Sequence, residues 1–359
     1  VQGALTGIPT KPDPTLLHRL MERMGASQEN TLFVGDSNVD IQTAKNGGLT
    51  SCGVLWGFRS RQELEQEGAD YLASTPEDLL TLILGEKGGR ETRHLGPEDV
   101  EEEVKILAEE GYKEIVLTGI HLTSYGIDFK DEGIDFLTLI KRLHEIDGIE
   151  RIRFGSLEPR VITEEFASEL SRLPKICPHF HLSLQSGCDD TLKRMNRHYD
   201  TAEYAELCEK LRRYFPNCAI TTDIMVGFPQ ETDEEFEKSL AFAKKISFAE
   251  THIFPYSRRP TTVADKMKGQ LDRKTKHSRA AQMADVCNET KALYLKSLVG
   301  TVQEVLFEKE TSPQWHQGHA PNYVTVKIPR DSEDVSLRRQ LLKIEITSSD
   351  GEFCYGKLI

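Results

Sequence analysis

The chain has 359 residues, of which 38% are hydrophobic and 29% charged, and its formal net charge is −13 at pH 7. That length implies two or three domains with a sizeable core, and the acidic balance excludes one uniformly basic nucleic-acid surface, though not a local basic stripe. No apolar run reaches the ~18 residues of a membrane span, and the opening VQGALTGIPTKPDP has no signal-peptide core, so a cytoplasmic, thiol-reducing setting without a membrane partner is expected.

In chain order, residues 1–84 alternate between helix and strand. Helix is expected over Pro14–Met24, a strand over Thr31–Asp36 (TLFVGD), and a helix from Asp40 to Asn46, stopped by Gly47-Gly48. A strand follows over Ser51–Gly57, then a short helix over Arg61–Glu67, a strand over Asp70–Ala73 and a closing helix over Pro76–Leu84. Such alternation implies a parallel sheet. Gly85–Gly96 (GEKGGRETRHLG) is rich in breakers and marks a linker over 85–96.

From Pro97 the alternation resumes at a longer pitch. Strands are expected over Glu114–Ile120, Arg151–Pro159, His179–Gly187, Ala219–Pro229 and Glu250–Ser257, with helices between them. Five such units make most of a (β/α) barrel over 97–296. Its last element is a long, amphipathic helix over Thr275–Leu298. Residues 297–359 switch to short strands, TVQEVLFE, YVTVKIP, LLKIEITS and FCYGKLI, which suggest a small β-barrel. The fold class is α/β, ending in a β-barrel.

Three sets of residues carry chemistry. Asp36 and Asp40 follow a strand end, four residues apart, and suit Mg²⁺, with Lys11 placed to neutralise a phosphoryl group. As a bare pattern this is equally a solvated carboxylate pair. TKPDP and FVGDSNVDIQTAKNGG resemble the haloacid-dehalogenase (HAD) superfamily, especially its phosphoglycolate-phosphatase branch, over 1–84. The resemblance makes Lys11 the phosphate contact and Asp36 and Asp40 the metal pair. The nucleophile motif D-x-D-x-T occurs nowhere in the sequence, so no covalent intermediate and no phosphatase turnover are expected.

Polar residues also collect at the carboxyl ends of the barrel strands: Thr118-Gly119, Ser156 and Glu158, Gln185-Ser186-Gly187, Asp223 with Gly227–Thr232, and Pro255-Tyr256-Ser257. Each alone is an ordinary loop cap, but five in register mark the face where such barrels place their sites. EIVLTGIH, RFGSLEP, HLSLQSGCDDTLKRMNRHY, TTDIMVGFPQETDEEF and THIFPYSRRPTTVA resemble the radical-SAM tRNA methylthiotransferases. The resemblance runs over about 90–359 and makes the tail a TRAM domain. TGIHLTSYG and HAPNYVTVKI favour the branch acting on threonylcarbamoyladenosine beside the anticodon. It implies a transferase that uses S-adenosylmethionine and 4Fe-4S clusters on tRNA, not DNA. Glu158, Gln185, Ser186, Arg197, Asp223 and Gly227 become the S-adenosylmethionine candidates.

The departure from that family lies in the cysteines. Its C-x-x-x-C-x-x-C loop should stand upstream of residue 90, where the HAD-like stretch lies instead. Cys52, Cys177, Cys188, Cys208, Cys218, Cys287 and Cys354 form no C-x-x-C and are read as scattered buried thiols. The expectation is a catalytically incomplete methylthiotransferase. The alternatives are a non-catalytic tRNA-binding remnant and a HAD-type phosphatase.

The third set is basic. Arg258–Lys296 holds ten Lys or Arg against four Asp or Glu, a stripe that could follow a phosphate backbone or simply be a solvated helix face. Arg258, Arg259 and Tyr323 are the RNA candidates, with Trp315, His316 and Arg338-Arg339 as further possibilities in an otherwise acidic tail.

Overall fold

The computed structural model describes residues 11–24, 26–28, 31–57, 59–84, 96–119, 122–126, 129, 133–259, 262–308, 312–330 and 335–359. The expected linker lies outside these, apart from Gly96. The chain divides into two compact units, 1–93 and 94–359.

The first unit runs α1 (Thr15–Met24), β1 (Leu32–Gly35), α2 (Asn38–Asn46), β2 (Thr50–Val54), α3 (Arg61–Gln66), β3 (Tyr71–Ala73) and α4 (Pro76–Leu84). The three strands form a parallel sheet in the order β1-β2-β3, with Val34 beside Cys52 and Cys52 beside Tyr71. Its apolar contacts are small: Met21, Ala44 and Leu49 on one patch, Cys52, Val54 and Ala73 on another. Both α2 and α3 start at a serine with an acidic residue three positions on. Ser37 with Asp40 and Ser60 with Glu63 make reciprocal capping boxes, which satisfy amides that a helix start leaves bare.

The second unit opens with α5 (Pro97–Glu109), β4 (Glu114–Leu117), α6 (Phe136–His144), β5 (Arg151–Phe154), β6 (Ser156–Leu157), α7 (Glu164–Ser171) and β7 (His179–Leu182). It continues with α8 (Asp189–Arg194), α9 (Thr201–Tyr214), β8 (Ala219–Val226), α10 (Asp233–Ile246), β9 (Glu250–Pro255), α11 (Val263–Lys266) and α12 (Arg273–Ser297). All pairings among β4–β9 are parallel: β4 with β5, then β6-β7-β8-β9. The stretch expected as one strand, Arg151–Pro159, breaks at Gly155 into β5 and β6. The result is an open arc of barrel with one large core. Ile140, Leu143, Ile149, Ile152, Phe180, Leu184, Tyr204, Ile224 and Phe248 are all fully buried in it.

The long helix α12 differs from the amphipathic helix expected. Its buried stripe is Arg279, Met283, Cys287, Thr290 and Leu295, so a cation and a hydroxyl lie among the apolar positions. Arg279 is buried because its guanidinium meets Glu231 at 2.7 Å and Asp233 at 2.6 Å.

The tail closes into a barrel of five strands, β10 (Val302–Phe307), β11 (Trp315–His319), β12 (Thr325–Pro329), β13 (Leu341–Ser349) and β14 (Cys354–Leu358), in the order β10-β11-β12-β14-β13. Four strands were expected; β11 is the addition. Two arginines of β5 hold this barrel against the arc. Arg151 donates to the carbonyls of Glu304 and His319, and Arg153 donates to the carbonyl of Pro321.

Candidate functional site

In the first unit the candidates come together in part. The Lys11 ammonium lies 2.6 Å from Asp40 Oδ1, and the Ser37 hydroxyl donates to Asp40 Oδ2 at 2.6 Å. Burial would push the Asp40 carboxyl up, but Lys11 and Ser37 hold it below the usual carboxylate range. Asp40 is thus the third residue of α2, paired on both oxygens. Asp36 is half-buried and packs against Gly57, where an added Cβ would sit 2.0 Å from its own Cβ. Phosphate chemistry of the HAD kind needs a nucleophile beside this pair, and the sequence supplies no D-x-D-x-T to place there.

In the second unit, the six S-adenosylmethionine candidates lie in different settings. Gln185 joins β8 through its backbone: its N–H donates to Asp223, and its carbonyl accepts from Met225. Ser186 is fully buried, with its hydroxyl accepting from the Cys188 N–H. Gly227 needs its glycine: φ is +72, and a Cβ would meet Lys276 at 2.3 Å. Its N–H donates to the buried Glu231 carboxylate at 2.7 Å. Glu158 and Arg197 are exposed. Asp223 stands apart, because its side chain turns into a cleft that the other five do not line.

That cleft has a volume of about 620 Å³. Its floor is the inner face of the arc: Arg153 on β5, His179 and His181 on β7, Thr221 and Asp223 on β8, and Glu250 and His252 on β9. Side chains alternate across a strand, so every second residue of these strands faces the same space. The β-barrel supplies the opposite wall through His319, Asn322 and Tyr323. His181 Nε2 lies 3.5 Å from Asp223 Oδ2, and this partner holds the Asp223 carboxyl below its ordinary range. Burial, with Arg153 alongside, pushes the His179 imidazolium down to about 3, so His179 is neutral at pH 7.

Tyr323 occupies the left-handed region at φ +65 and is half exposed. Its ring stacks on His319, with centroids 4.7 Å apart and planes 17° from parallel. The Arg153 guanidinium sits 4.6 Å from the ring centre. Arg153 is itself fixed by a two-pronged bond to Glu114 at 2.8 and 3.0 Å. A half-exposed aromatic ring held by two histidines and an arginine is a group of the kind that stacks on nucleobases. Among the other tail candidates, His316 is buried and Trp315 packs on Tyr355.

The basic segment is less of a stripe than its charge suggests. Arg258 pairs with Asp265 at 2.7 Å, Lys291 with Glu250 at 2.6 Å, and Lys276 donates to the Tyr256 carbonyl at 3.0 Å. Arg279 is buried, as above. Arg259 is exposed.

The cysteines present do not fit an iron–sulfur cluster. All seven are buried and free. Burial pushes the thiols of Cys177 and Cys208 up to about 12 and those of Cys218 and Cys354 up to about 11, whereas cluster ligation takes thiolates. Among the described residues, metal-type groupings are His181, Asp223 and His252, and Cys188, Asp190 and Glu235. Neither contains two cysteines, and Glu235 is already paired with Arg194 at 2.5 and 2.8 Å. Sequence reasoning missed His181, His252, Arg153 and His319. The signal available was the spacing of His181 and His252 within their strands, which puts them in phase with Asp223.

Comparison with known proteins finds two families, whose matches overlap over residues 74–79. Residues 74–243 match the family model of the radical SAM superfamily, and residues 9–79 match a HAD-hydrolase-like model. The tRNA-2-methylthio-N(6)-dimethylallyladenosine synthase of Clostridium botulinum is 40% identical over 220 residues, 61% of this chain and 48% of that protein. Its namesake from Thermoanaerobacter is 39% identical over 263 residues, 73% of this chain and 55% of that protein. The chain thus spans about half the length of the curated relatives it matches. These names carry dimethylallyladenosine and do not support the threonylcarbamoyladenosine branch expected from the sequence wording. Among solved structures, a putative phosphoglycolate phosphatase from Lactobacillus delbrueckii is 38% identical, with a TM-score of 0.23, over 23% of this chain and 35% of that one. Coproporphyrinogen III oxidase from Escherichia coli, a radical SAM enzyme, is 17% identical, with a TM-score of 0.42, over 53% of this chain and 44% of that one. Residues 74–243 are thus similar to the radical SAM superfamily, residues 9–79 to HAD-like hydrolases, and the chain as a whole is similar over part of its length to tRNA methylthiotransferases.

Proposed function

We propose that the second unit binds tRNA at the mouth of its cleft and, with the cysteines present here, is not a complete methylthiotransferase. The observation that carries this reading is the Tyr323 platform, a half-exposed ring stacked on His319 and backed by Arg153. The names of the relatives supply the nucleic-acid class. Radical-SAM chemistry takes S-adenosylmethionine and a 4Fe-4S cluster, which belong to the cofactors rather than the fold. In this reading Gln185 and Gly227 face S-adenosylmethionine from neighbouring strand ends, Ser186 supports them from beneath, and Glu158 and Arg197 are its charged contacts. Cluster thiolates would have to come from cysteines other than these seven.

Binding should be salt-sensitive but shallow. Six of the ten basic residues in Arg258–Lys296 are not engaged by the partners above. About three phosphate contacts would give a log–log salt slope of roughly −2 to −3. Titration of tRNA by fluorescence anisotropy at several salt concentrations tests this. Tyr323→Asn, which tolerates the left-handed backbone, should weaken binding by the ~1–3 kcal/mol of one stacked base and leave the slope unchanged. Arg259→Ala should lower the slope by about one contact's worth and weaken all tRNAs alike. Full affinity in Tyr323→Asn would sink the proposal. Comparing tRNAs that carry threonylcarbamoyladenosine and dimethylallyladenosine distinguishes the branch favoured by TGIHLTSYG from the branch in the relatives' names.

A further inference from the structure

The cleft floor holds an arrangement that tRNA binding does not use. His181, Asp223 and His252 lie on β7, β8 and β9, three adjacent parallel strands. Asp223 and His252 are register partners, and His181 is the register partner of Thr221, two residues before Asp223 on the same face. The backbone therefore brings two imidazoles and one carboxylate to one spot without any loop. One donor atom from each lies within 4.8 Å of the other two. Donors sharing an ion with bonds of ~2.0–2.2 Å are at most about 4.4 Å apart, so small side-chain rotations close the set.

Two details favour an ion over a simple hydrogen-bonded pair. The His181–Asp223 separation of 3.5 Å is long for N–H···O but ordinary for two ligands of one metal. The other ring nitrogen, His181 Nδ1, is held by Thr221 Oγ1 at 3.0 Å, which fixes the ring with Nε2 toward Asp223. Thr221 is in turn 3.4 Å from His179 Nε2. Outer partners of this kind orient metal-binding histidines.

We propose that His181, Asp223 and His252 form a two-histidine, one-carboxylate site for a divalent first-row transition metal ion, with its open positions toward the cleft. The donor set favours Zn²⁺, Fe²⁺ or Co²⁺ over Mg²⁺ and Ca²⁺, which take oxygen ligands. The inference stands on strand register and is independent of the tRNA reading.

The test is titration of tag-free, chelator-treated full chain with Co²⁺, followed by visible absorbance and calorimetry. The expected result is one equivalent with ligand-field bands, displaced by Zn²⁺ and not by excess Mg²⁺. His252→Ala, at an exposed position, should fold normally by circular dichroism and lose binding by at least tenfold, and Asp223→Asn likewise. Thr221→Val should weaken binding by about tenfold as the outer partner goes. Cys188→Ser, in the other grouping, should change nothing. Unchanged Co²⁺ affinity in folded His252→Ala, loss of binding in Cys188→Ser, or displacement by Mg²⁺ would each overturn the assignment.

Discussion

The two units treat their charged side chains in opposite ways. In the HAD-like region the buried carboxylate Asp40 is fully occupied, with Lys11 on one oxygen and Ser37 on the other. In the radical-SAM region Asp223 lies beside two histidines on the floor of an open cleft, and His181 is 3.5 Å away. Both carboxylates are held below their ordinary range by a neighbour. A lowered carboxylate alone therefore does not mark a working site. What differs is whether the partners exhaust its oxygens. Asp40 completes a helix start, whereas Asp223 retains room for a ligand.

The largest effect that would sharpen this contrast comes from Arg153, where pairing is complete and deep. Arg153→Ala removes the bidentate partner of Glu114, leaving it only the longer contact to Arg151, and the donor to the Pro321 carbonyl, and should cost about 3 kcal/mol of the second unit's stability in urea unfolding. A loss under ~1 kcal/mol would mean that the buried network is dispensable.

Next comes pH. His179 titrates at about 3 when folded and near 6.5 when unfolded, so the unfolded chain binds the extra proton between those values. The His179 contribution is fully present above pH 6.5 and is lost on acidification, with a slope of ~1.4 kcal/mol per pH unit down to about pH 3. His179→Gln should flatten the stability–pH curve by that one-proton slope. An unchanged curve would place the acid sensitivity elsewhere.

In the first unit the effects should be smaller. Asp40→Ala breaks the capping box of α2 and should cost on the order of 1 kcal/mol by thermal unfolding of the full chain. Phosphoglycolate hydrolysis should stay at background in both parent and variant; magnesium-dependent turnover abolished by Asp40→Ala would make the Asp40 pairing catalytic after all. The smallest effect is expected of Lys11→Ala, which removes a half-exposed ion pair worth roughly 0–1 kcal/mol and weakened by salt.

Much of the fold was legible because apolar runs and helix starts are local signals. Pro76–Leu84 and Thr201–Tyr214 carry their own caps and periodicity, and the helices formed over those spans. Trp315–His319 was missed because WHQGH has only one residue that favours strands, and its buried positions are His316 and Gly318. Gly155 split a strand that reads as continuous. The site was less legible, since it depends on distant pairings. Asp223 could be singled out at a strand end, but its alignment with His252 is a matter of register between two strands. Charge counting likewise marked ten basic residues without showing that Arg279 points inward.

The arginines of β5 also bear on how freely this chain can be rearranged. Tails that look like separate domains are often treated as movable cassettes. Here Arg151 and Arg153 are buried in the arc, yet they find acceptors on the Glu304, His319 and Pro321 carbonyls of the tail. Cutting before Val302 would remove those carbonyl acceptors and leave both buried guanidinium groups sharing Glu114 alone. Any splice that keeps β5 must therefore keep the tail as well.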